Sequence, residues 1–235
     1  ENQLDENQAA MQEQINEIGS SLLIVKKDLN DEIAELKAGA SADFSEIIED
    51  VIPAVVNVGT DISQGSGFIV SREGYVITNA HVLTDGNYIR VLNYESEQWK
   101  PAQLIGWNEI ADVAVLKISG DNYDYLEFGD SNDLKVGEKA IALGNPLGLS
   151  FSVTEGIISA LNRVGPNNFV GYIQIDVPLN RGNSGGPLVS KRGEVIGINN
   201  YKLQNSENLG FALESNLAVA AINDIFKQAN ISVSV

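Results

Sequence analysis

Apolar residues from Met11 to Leu29 recur at alternating spacings of four and three, which is the spacing of one stripe along an α-helix. Most apolar residues in the first 38 positions occupy positions a and d of a heptad repeat that Gln8 and Glu32 interrupt: Leu4, Met11, Ile15, Ile18, Leu22, Val25, Leu29 and Leu36. The pattern predicts an N-terminal coiled-coil helix over residues 1–38. Because such a helix must bury its apolar stripe, we expect it to pack on copies of itself. A stalk and a frayed acidic arm are the alternatives.

Residues 39–46 are mostly small and predict a linker, at whose end Ser45 caps a short helix over 46–51. From residue 54 onward the period becomes that of short strands, separated by turns that contain Gly or Pro. These strands are predicted at 54–59, 67–70, 75–78, 88–92, 101–106, 113–118, 139–143, 151–159, 172–175, 187–189 and 194–199. A helical period returns at 216–228, with one apolar side formed by Leu217, Ala220, Ala221, Ile225 and Phe226. The pattern predicts a mainly β domain, either a sandwich or a barrel.

One short internal similarity favours two related β units. Residues 67–77 (GFIVSREGYVI) resemble residues 186–196 (GPLVSKRGEVI), and each reads as a strand, a turn with Gly and a second strand. We expect one copy in each half of the domain, as in a pair of barrels.

The composition narrows the possible functions. The net charge is −17, and the first 50 residues contain 13 acidic residues against 3 lysines. An acidic chain without a basic stripe is a poor partner for nucleic acid. With one histidine and no cysteine, the chain cannot build the usual zinc sites, so we expect no metal and no cofactor. No apolar run reaches the ~18–20 residues of a transmembrane helix, and we expect any export or anchor segment to be absent from these 235 residues.

Ser184 lies in a glycine-rich stretch, RGNSGGP at 181–187, between two apolar runs. Glycines let the backbone bend sharply and turn successive N–H groups toward one point. A serine is a poor nucleophile, however, unless a base removes its proton. Taken alone, the stretch is typical of a hairpin turn with a surface serine, so its function depends on what the rest of the chain supplies.

Two further polar residues stand in apolar surroundings. His81 follows an apolar strand and Asp112 interrupts an apolar run, and each is most simply structural when taken alone. Together with Ser184 they supply the groups of a catalytic triad, in which the carboxylate accepts the imidazole Nδ1–H and Nε2 takes the serine proton. The main-chain N–H groups of Gly182 and Ser184, with Asn183 between them, would then form the oxyanion hole.

Six motifs, in this order along the chain, resemble the HtrA/Deg serine proteases. They are GSGFIV at 65–70, YVITNAHVL at 75–83, ADVAVLKI at 111–118, ALGNPLG at 142–148, GIISA at 156–160 and GNSGGPL at 182–188. The resemblance implies a chymotrypsin-like double β-barrel in a protease domain over 47–235, with barrels at about 47–125 and 135–212 and a closing helix at 216–228. It also implies that His81, Asp112 and Ser184 form the triad.

By the same resemblance, we expect an extracytoplasmic endopeptidase that cleaves unfolded proteins in quality control and assembles as a trimer or a larger oligomer. Leu179, Ile196 and Ile198 should line the specificity pocket, which would favour cleavage after Val, Ala or similar residues. Asn183 stands where activatable relatives carry an aspartate that pairs with a newly cut N-terminus. We therefore expect control by the ordering of the loops at 145–150, 163–171 and 200–209.

Two features depart from the family. The sequence contains no segment expected to form the PDZ domain that usually follows the protease domain, and the long acidic coiled coil is not a general feature of the protease core. A second hypothesis is therefore a coiled-coil scaffold or holdase that binds unfolded chains with little or no proteolysis. Unfolded proteins or peptides are the expected partners under both hypotheses.

Overall fold

The computed structural model describes residues 26–27, 44–94, 98–144, 152–165, 169–179, 182–202 and 209–235. Lys26 and Lys27 are helical and exposed. The rest of the predicted coiled coil, and the predicted linker up to residue 43, lie outside the described residues. Phe44–Val235 form one unit of the chain, to which all of the following description applies.

The first barrel is formed by six antiparallel strands that close in the order β1-β2-β3-β6-β5-β4. The strands are β1 (Val55–Gly59), β2 (Gln64–Ile69), β3 (Tyr75–Thr78), β4 (Arg90–Asn93), β5 (Lys100–Asn108) and β6 (Val113–Ile118). Apolar side chains from β1, β2, β3 and β6 fill the barrel, and those of Val56, Val58, Val76 and Leu116 have no exposed surface. The strands predicted in this half are therefore confirmed.

The second barrel has six antiparallel strands, which close in the equivalent order β7-β8-β9-β12-β11-β10. The strands are β7 (Lys139–Gly144), β8 (Ser152–Val164), β9 (Val170–Ile175), β10 (Pro187–Ser190), β11 (Val195–Lys202) and β12 (Gly210–Glu214). The two barrels confirm the expected mainly β double-barrel fold. The sequence pattern missed β12, because this short strand contains no Val or Ile, the residues that marked the other predicted strands.

The predicted internal similarity reflects shared turn chemistry and not a duplicated barrel element. Residues 67–77 form the β2–β3 hairpin, whereas residues 186–196 form the β10–β11 hairpin, which occupies a different place in its barrel. In both turns the glycine N–H donates to the serine carbonyl three residues earlier, at 3.0 Å in Ser71–Gly74 and 3.1 Å in Ser190–Gly193. Both glycines have positive φ, +88° and +80°, which explains why glycine occurs at the same position of both turns.

Helix α1 (Ser45–Val51) precedes the first barrel and runs into a 3₁₀ turn at Ile52–Ala54. The prediction that Ser45 caps this helix is wrong: Phe44, which has no polar side chain, occupies the N-cap position, and Ser45 is the first helical residue. The Phe44 side chain is buried, so apolar packing fixes the helix start in place of a polar cap.

Helix α2 (Ser215–Gln228) confirms the predicted C-terminal helix and packs against β5 and β6 of the first barrel and β11 and β12 of the second. Its buried face is formed by Ala218, Ala221, Ile222, Ile225 and Phe226, so Ala220, predicted on the apolar side, is exposed. The largest hydrophobic cluster contains these residues together with Phe68, Val115, Leu143 and Val189 from the two barrels. None of the helices that the structure describes is long and apolar enough to cross a membrane.

The segment between the barrels is tied to the start of α2. The Ser215 Oγ donates to the Gly129 carbonyl at 2.6 Å, and the Asn216 Nδ2 donates to the Asp130 carboxylate at 2.6 Å. The Asn216 side chain, and then the Asn132 main-chain N–H, lower the pKa of Asp130 below its ordinary value by stabilising the ionised carboxylate. The two barrels and α2 therefore form one connected unit.

We expect Phe226→Ala to lower the free energy of unfolding by about 3–5 kcal/mol, because it empties a buried site between helix and barrel. Phe226 is 1% exposed, and its ring meets the Tyr75 ring edge-on at a centroid distance of 5.0 Å. Urea unfolding measures the change, and Asp224→Ala, exposed on the same helix, should alter stability by no more than about 0.5 kcal/mol. Equal stabilities of the two variants would contradict the assigned packing.

Candidate active site

His81 and Asp112 are joined by two hydrogen bonds on one edge of the first barrel. His81 lies in the 3₁₀ turn Ala80–Leu83 directly after β3, and Asp112 lies in the turn before β6. The His81 Nδ1 lies 2.6 Å from the Asp112 Oδ2, and the His81 main-chain N–H donates to Oδ1 at 2.9 Å. Because an ionised carboxylate only accepts, the bond at Nδ1 places the imidazole proton there and leaves the Nε2 lone pair free.

The backbone of Asp112 adopts the left-handed conformation, with φ +54°. This conformation is rare for a residue other than glycine and has to be held by its surroundings. The buried Asn79 side chain donates from Nδ2 to the Asp112 carbonyl oxygen at 2.9 Å, and the Ala80 N–H donates to the same oxygen at 3.2 Å. These two donors hold Asp112 in the backbone conformation in which it contacts His81.

Asn200, on β11 of the second barrel, adds a third donor to the Asp112 carboxylate. Its Nδ2 donates to Oδ2 at 3.1 Å, next to the bond from the imidazole. The carboxylate thus accepts from groups on both barrels, while the side chains of His81 and Asp112 remain 49% and 21% exposed. The imidazole is therefore fixed at Nδ1 while a large part of its side chain is accessible to a second molecule.

Ser184 lies between β9 and β10, on the loop that the sequence predicted. Its Oγ donates to the main-chain carbonyl of Asn200 at 3.0 Å, and among the described residues no hydrogen bond joins it to His81. Gly185, which follows, has φ +83°, and a Cβ on it would stand 2.4 Å from the Ser66 carbonyl oxygen. Glycine is therefore required at 185 for the loop to lie against the first barrel.

The peptide groups around Asn183 are partly fixed. The Asn183 carbonyl accepts the Gly186 N–H at 3.0 Å, so the Ser184 N–H, on the other side of the same trans peptide, points away from it. The Gly182 N–H belongs to the peptide it shares with residue 181, which lies outside the described residues. The predicted oxyanion hole of Gly182, Asn183 and Ser184 therefore stays a prediction.

The three residues predicted to line the specificity pocket are buried but do not form one group. Leu179 and Ile196 belong to one hydrophobic cluster, and Ile198 belongs to another. A register shift between β10 and β11 disturbs the alternation of side chains along β11, so residues two apart need not face the same side. The neighbouring residues 180–181 and 203–208 lie outside the described part of the chain, and the pocket stays a prediction.

The described residues also form a cleft on the first-barrel side of His81, with a volume of about 540 Å³. It is lined by Ala80, His81, Leu83, Thr84, Leu104, Trp107, Glu109 and Asp112. Of the loops predicted to order on activation, 145–150 lies outside the described residues, and 163–171 and 200–209 lie partly outside them.

The family model for the trypsin-like peptidase domain matches residues 65–198, which include His81, Asp112 and Ser184. The chain belongs to the trypsin-like peptidases of the HtrA/Deg family. It is 45% identical, over 72% of its length, to a probable periplasmic serine endoprotease, DegP-like, from Halomonas elongata, and 36% identical, over 82%, to a protein of that name from Hahella chejuensis.

Solved structures of HtrA-type proteases have the same fold. The HtrA-type protease AlgW with tripeptide is 36% identical, with a TM-score of 0.75, over 79% of this chain and 64% of that one. The serine endoprotease from Yersinia pestis is 34% identical, with a TM-score of 0.71, over 80% of this chain and 68% of that one. The chain spans 36% and 51% of the lengths of the Halomonas and Hahella relatives.

The sequence motifs contained residues whose part in the site could not be recognised. Asn79 and Ser66 stand inside the HtrA/Deg motifs, and Asn200 follows another asparagine in β11, but nothing marked them as contacts of Asp112 or Ser184. The one available signal was a polar side chain within a buried apolar strand, which must find a hydrogen-bond partner. That signal gives no indication of which partner is found.

We expect Asn200→Ala to lower kcat for peptide hydrolysis by about 10-fold while KM changes less than about threefold, because the carboxylate loses a donor that helps to orient it. The main-chain carbonyl that contacts Ser184 is retained in this variant. Steady-state kinetics test the effect, with Asn216→Ala as the matched control, since it removes an amide–carboxylate bond at Asp130, remote from the site. An unchanged kcat for Asn200→Ala would show that its bond does not orient Asp112.

Proposed function

We propose that this chain is a serine endopeptidase in which Ser184 is the nucleophile, His81 the general base and Asp112 the group that orients the imidazole. The observation that carries the proposal is the pair of bonds from His81 to one carboxylate, at 2.6 and 2.9 Å. That geometry holds the imidazole in the tautomer whose Nε2 can accept a proton. The fold and family membership supply the nucleophile loop on the facing barrel.

The reaction proceeds through an acyl-enzyme. The Ser184 Oγ leaves the Asn200 carbonyl by rotation about χ1, transfers its proton to the His81 Nε2 and attacks the peptide carbonyl carbon. The resulting oxyanion accepts hydrogen bonds from the Gly182 and Ser184 N–H groups, and His81 then protonates the leaving amine. Water, deprotonated by His81, hydrolyses the ester and restores Ser184.

The substrates we propose are unfolded proteins outside the cytoplasm. An extended chain can reach this imidazole, because the imidazole is half exposed and lies beside an open cleft. The names of the relatives, which describe probable periplasmic endoproteases, support this location and activity. We further propose that Leu179, Ile196 and Ile198 favour small or medium aliphatic side chains before the cut bond.

Assembly and control belong to the same proposal. The heptad pattern of residues 1–38 supports a trimer or a larger assembly, formed through that helix and the protease domain. Asn183 is 1% exposed and uncharged, so it offers no charge with which a cut N-terminus could pair. We therefore propose that loop ordering near Ser184, and not N-terminal cleavage, regulates the site.

A holdase is the second candidate, and one observation favours it: the Ser184 hydroxyl is bonded to the Asn200 carbonyl and not to His81. In this state the nucleophile has no base. A domain that remained in it would bind unfolded chains and cut them rarely.

Ser184→Ala should abolish degradation of an unfolded model protein such as reduced, carboxymethylated lactalbumin, because no other group can form the acyl-enzyme. Gel electrophoresis over time measures the loss, and binding of the same protein should persist in the variant. Ser71→Ala, a buried serine in the β2–β3 turn, is the control and should retain activity. Identical behaviour of the wild type and Ser184→Ala would support the holdase.

Hydrolysis should be slower in acid than at neutral pH, because only the neutral imidazole of His81 can accept the serine proton. The initial rate with a small peptide substrate, measured from pH 5 to pH 8 at constant ionic strength, tests this. Circular dichroism at each pH serves as the control for unfolding. A rate at pH 5 equal to that at pH 8 would argue against His81 as the base.

A further inference from the structure

Ser66 connects the first barrel to the loop that carries Ser184. It lies in β2, has no exposed surface, and contacts the loop through two hydrogen bonds. Its main-chain N–H donates to the Ser184 carbonyl at 2.8 Å, and its Oγ donates to the Gly182 carbonyl at 2.5 Å. Its own carbonyl accepts from the Thr78 Oγ1 at 2.6 Å, which ties β2 to the end of β3.

The two bonds hold the two peptide groups that flank the Asn183–Ser184 peptide. The Gly182 carbonyl belongs to the peptide between residues 182 and 183, and the Ser184 carbonyl to the peptide between 184 and 185. The peptide between them carries the Ser184 N–H, one of the two proposed oxyanion donors. Since peptides are planar, fixing both neighbours restricts the direction of this N–H and the position of the Ser184 Cα.

Three glycines make room for this contact. A Cβ on Gly144 would lie 2.9 Å from the Ser66 Oγ, and one on Gly186 would lie 3.1 Å from the Ser66 Cβ. A Cβ on Gly185 would lie 2.4 Å from the Ser66 carbonyl oxygen. Because the packing is this close, a larger side chain at any of these three glycines would push the loop away from Ser66.

We propose that Ser66 is a positioning residue, which holds the Gly182–Asn183 peptide so that the Ser184 N–H is directed at the oxyanion. The inference rests on the proposed function, since it presupposes acyl transfer at Ser184. Without the hydroxyl, the Gly182 carbonyl loses a buried donor, and the Gly182–Asn183 peptide is held less firmly, while the Gly186 N–H still holds the Asn183 carbonyl. The loss then falls on the transition state, whose oxyanion needs the N–H, more than on the bound substrate.

Ser66→Ala tests the inference through kcat, KM and inhibition by a peptide boronic acid, which forms a tetrahedral adduct with the serine Oγ. We expect kcat to fall by about 10- to 100-fold with KM within about threefold of the wild type. The inhibition constant of the boronic acid should rise by a factor similar to the fall in kcat. A merely structural role would lower the melting temperature without this parallel change.

Ser215→Ala is the matched control. Its hydroxyl is equally buried and donates to the Gly129 carbonyl at 2.6 Å, remote from Ser184. We expect this variant to lose thermal stability while kcat and the inhibition constant stay within about twofold of the wild type. Equal effects of Ser66→Ala and Ser215→Ala on kcat would overturn the inference.

Ser66→Cys keeps the shape of the side chain with a weaker donor, and it decides the question if Ser66→Ala does not fold. We expect its kcat to lie below the wild type by about 3- to 30-fold, and a folded variant with wild-type kcat would overturn the inference. A wild-type chain no more active than Ser184→Ala would instead overturn the proposed function. Activity that requires Ser184 but not the Ser66 hydroxyl would overturn only the role of Ser66.

Discussion

The hydrogen bonds that converge on Asp112 are the constraint on which the rest of the site depends. Its carboxylate accepts from His81 twice and from Asn200 once, and its carbonyl accepts from Asn79 and Ala80. These donors come from both barrels, so the site exists only while the barrels keep their relative position. The apolar cluster between the barrels and α2 supplies that rigidity, because a close-packed interior deforms little.

The fold could be predicted wherever local chemistry decides it. Short runs rich in Val and Ile, separated by turns that contain Gly or Pro, identified eleven strands, and a helical period identified α2. β12 was missed because it contains no Val or Ile. The Ser45 cap was wrong because the tertiary burial of Phe44 outweighed a local preference, and the repeated motif reflected two turns of the same kind.

For the candidate site, the three triad residues could be predicted from the sequence, but their hydrogen-bond partners could not. His81, Asp112 and Ser184 could be singled out because each polar group stood in an apolar context and the motifs matched a known family. Their partners Asn79 and Asn200 could not, because a hydrogen bond across barrels depends on strand register and on backbone conformation at distant positions. Whether Ile196 and Ile198 face the same side depends on a register shift between β10 and β11, which no spacing rule anticipates.

Helix α2 has a consequence for the way in which the chain folds. It follows the whole second barrel in sequence, yet it covers β5 and β6 of the first. The first barrel therefore leaves the ribosome before the residues that complete its core have been made. Contacts between such distant segments slow folding, because the chain between them must be ordered before the contacts form. Until α2 docks, a newly made chain presents the same exposed apolar surface as the unfolded proteins that we propose as its substrates.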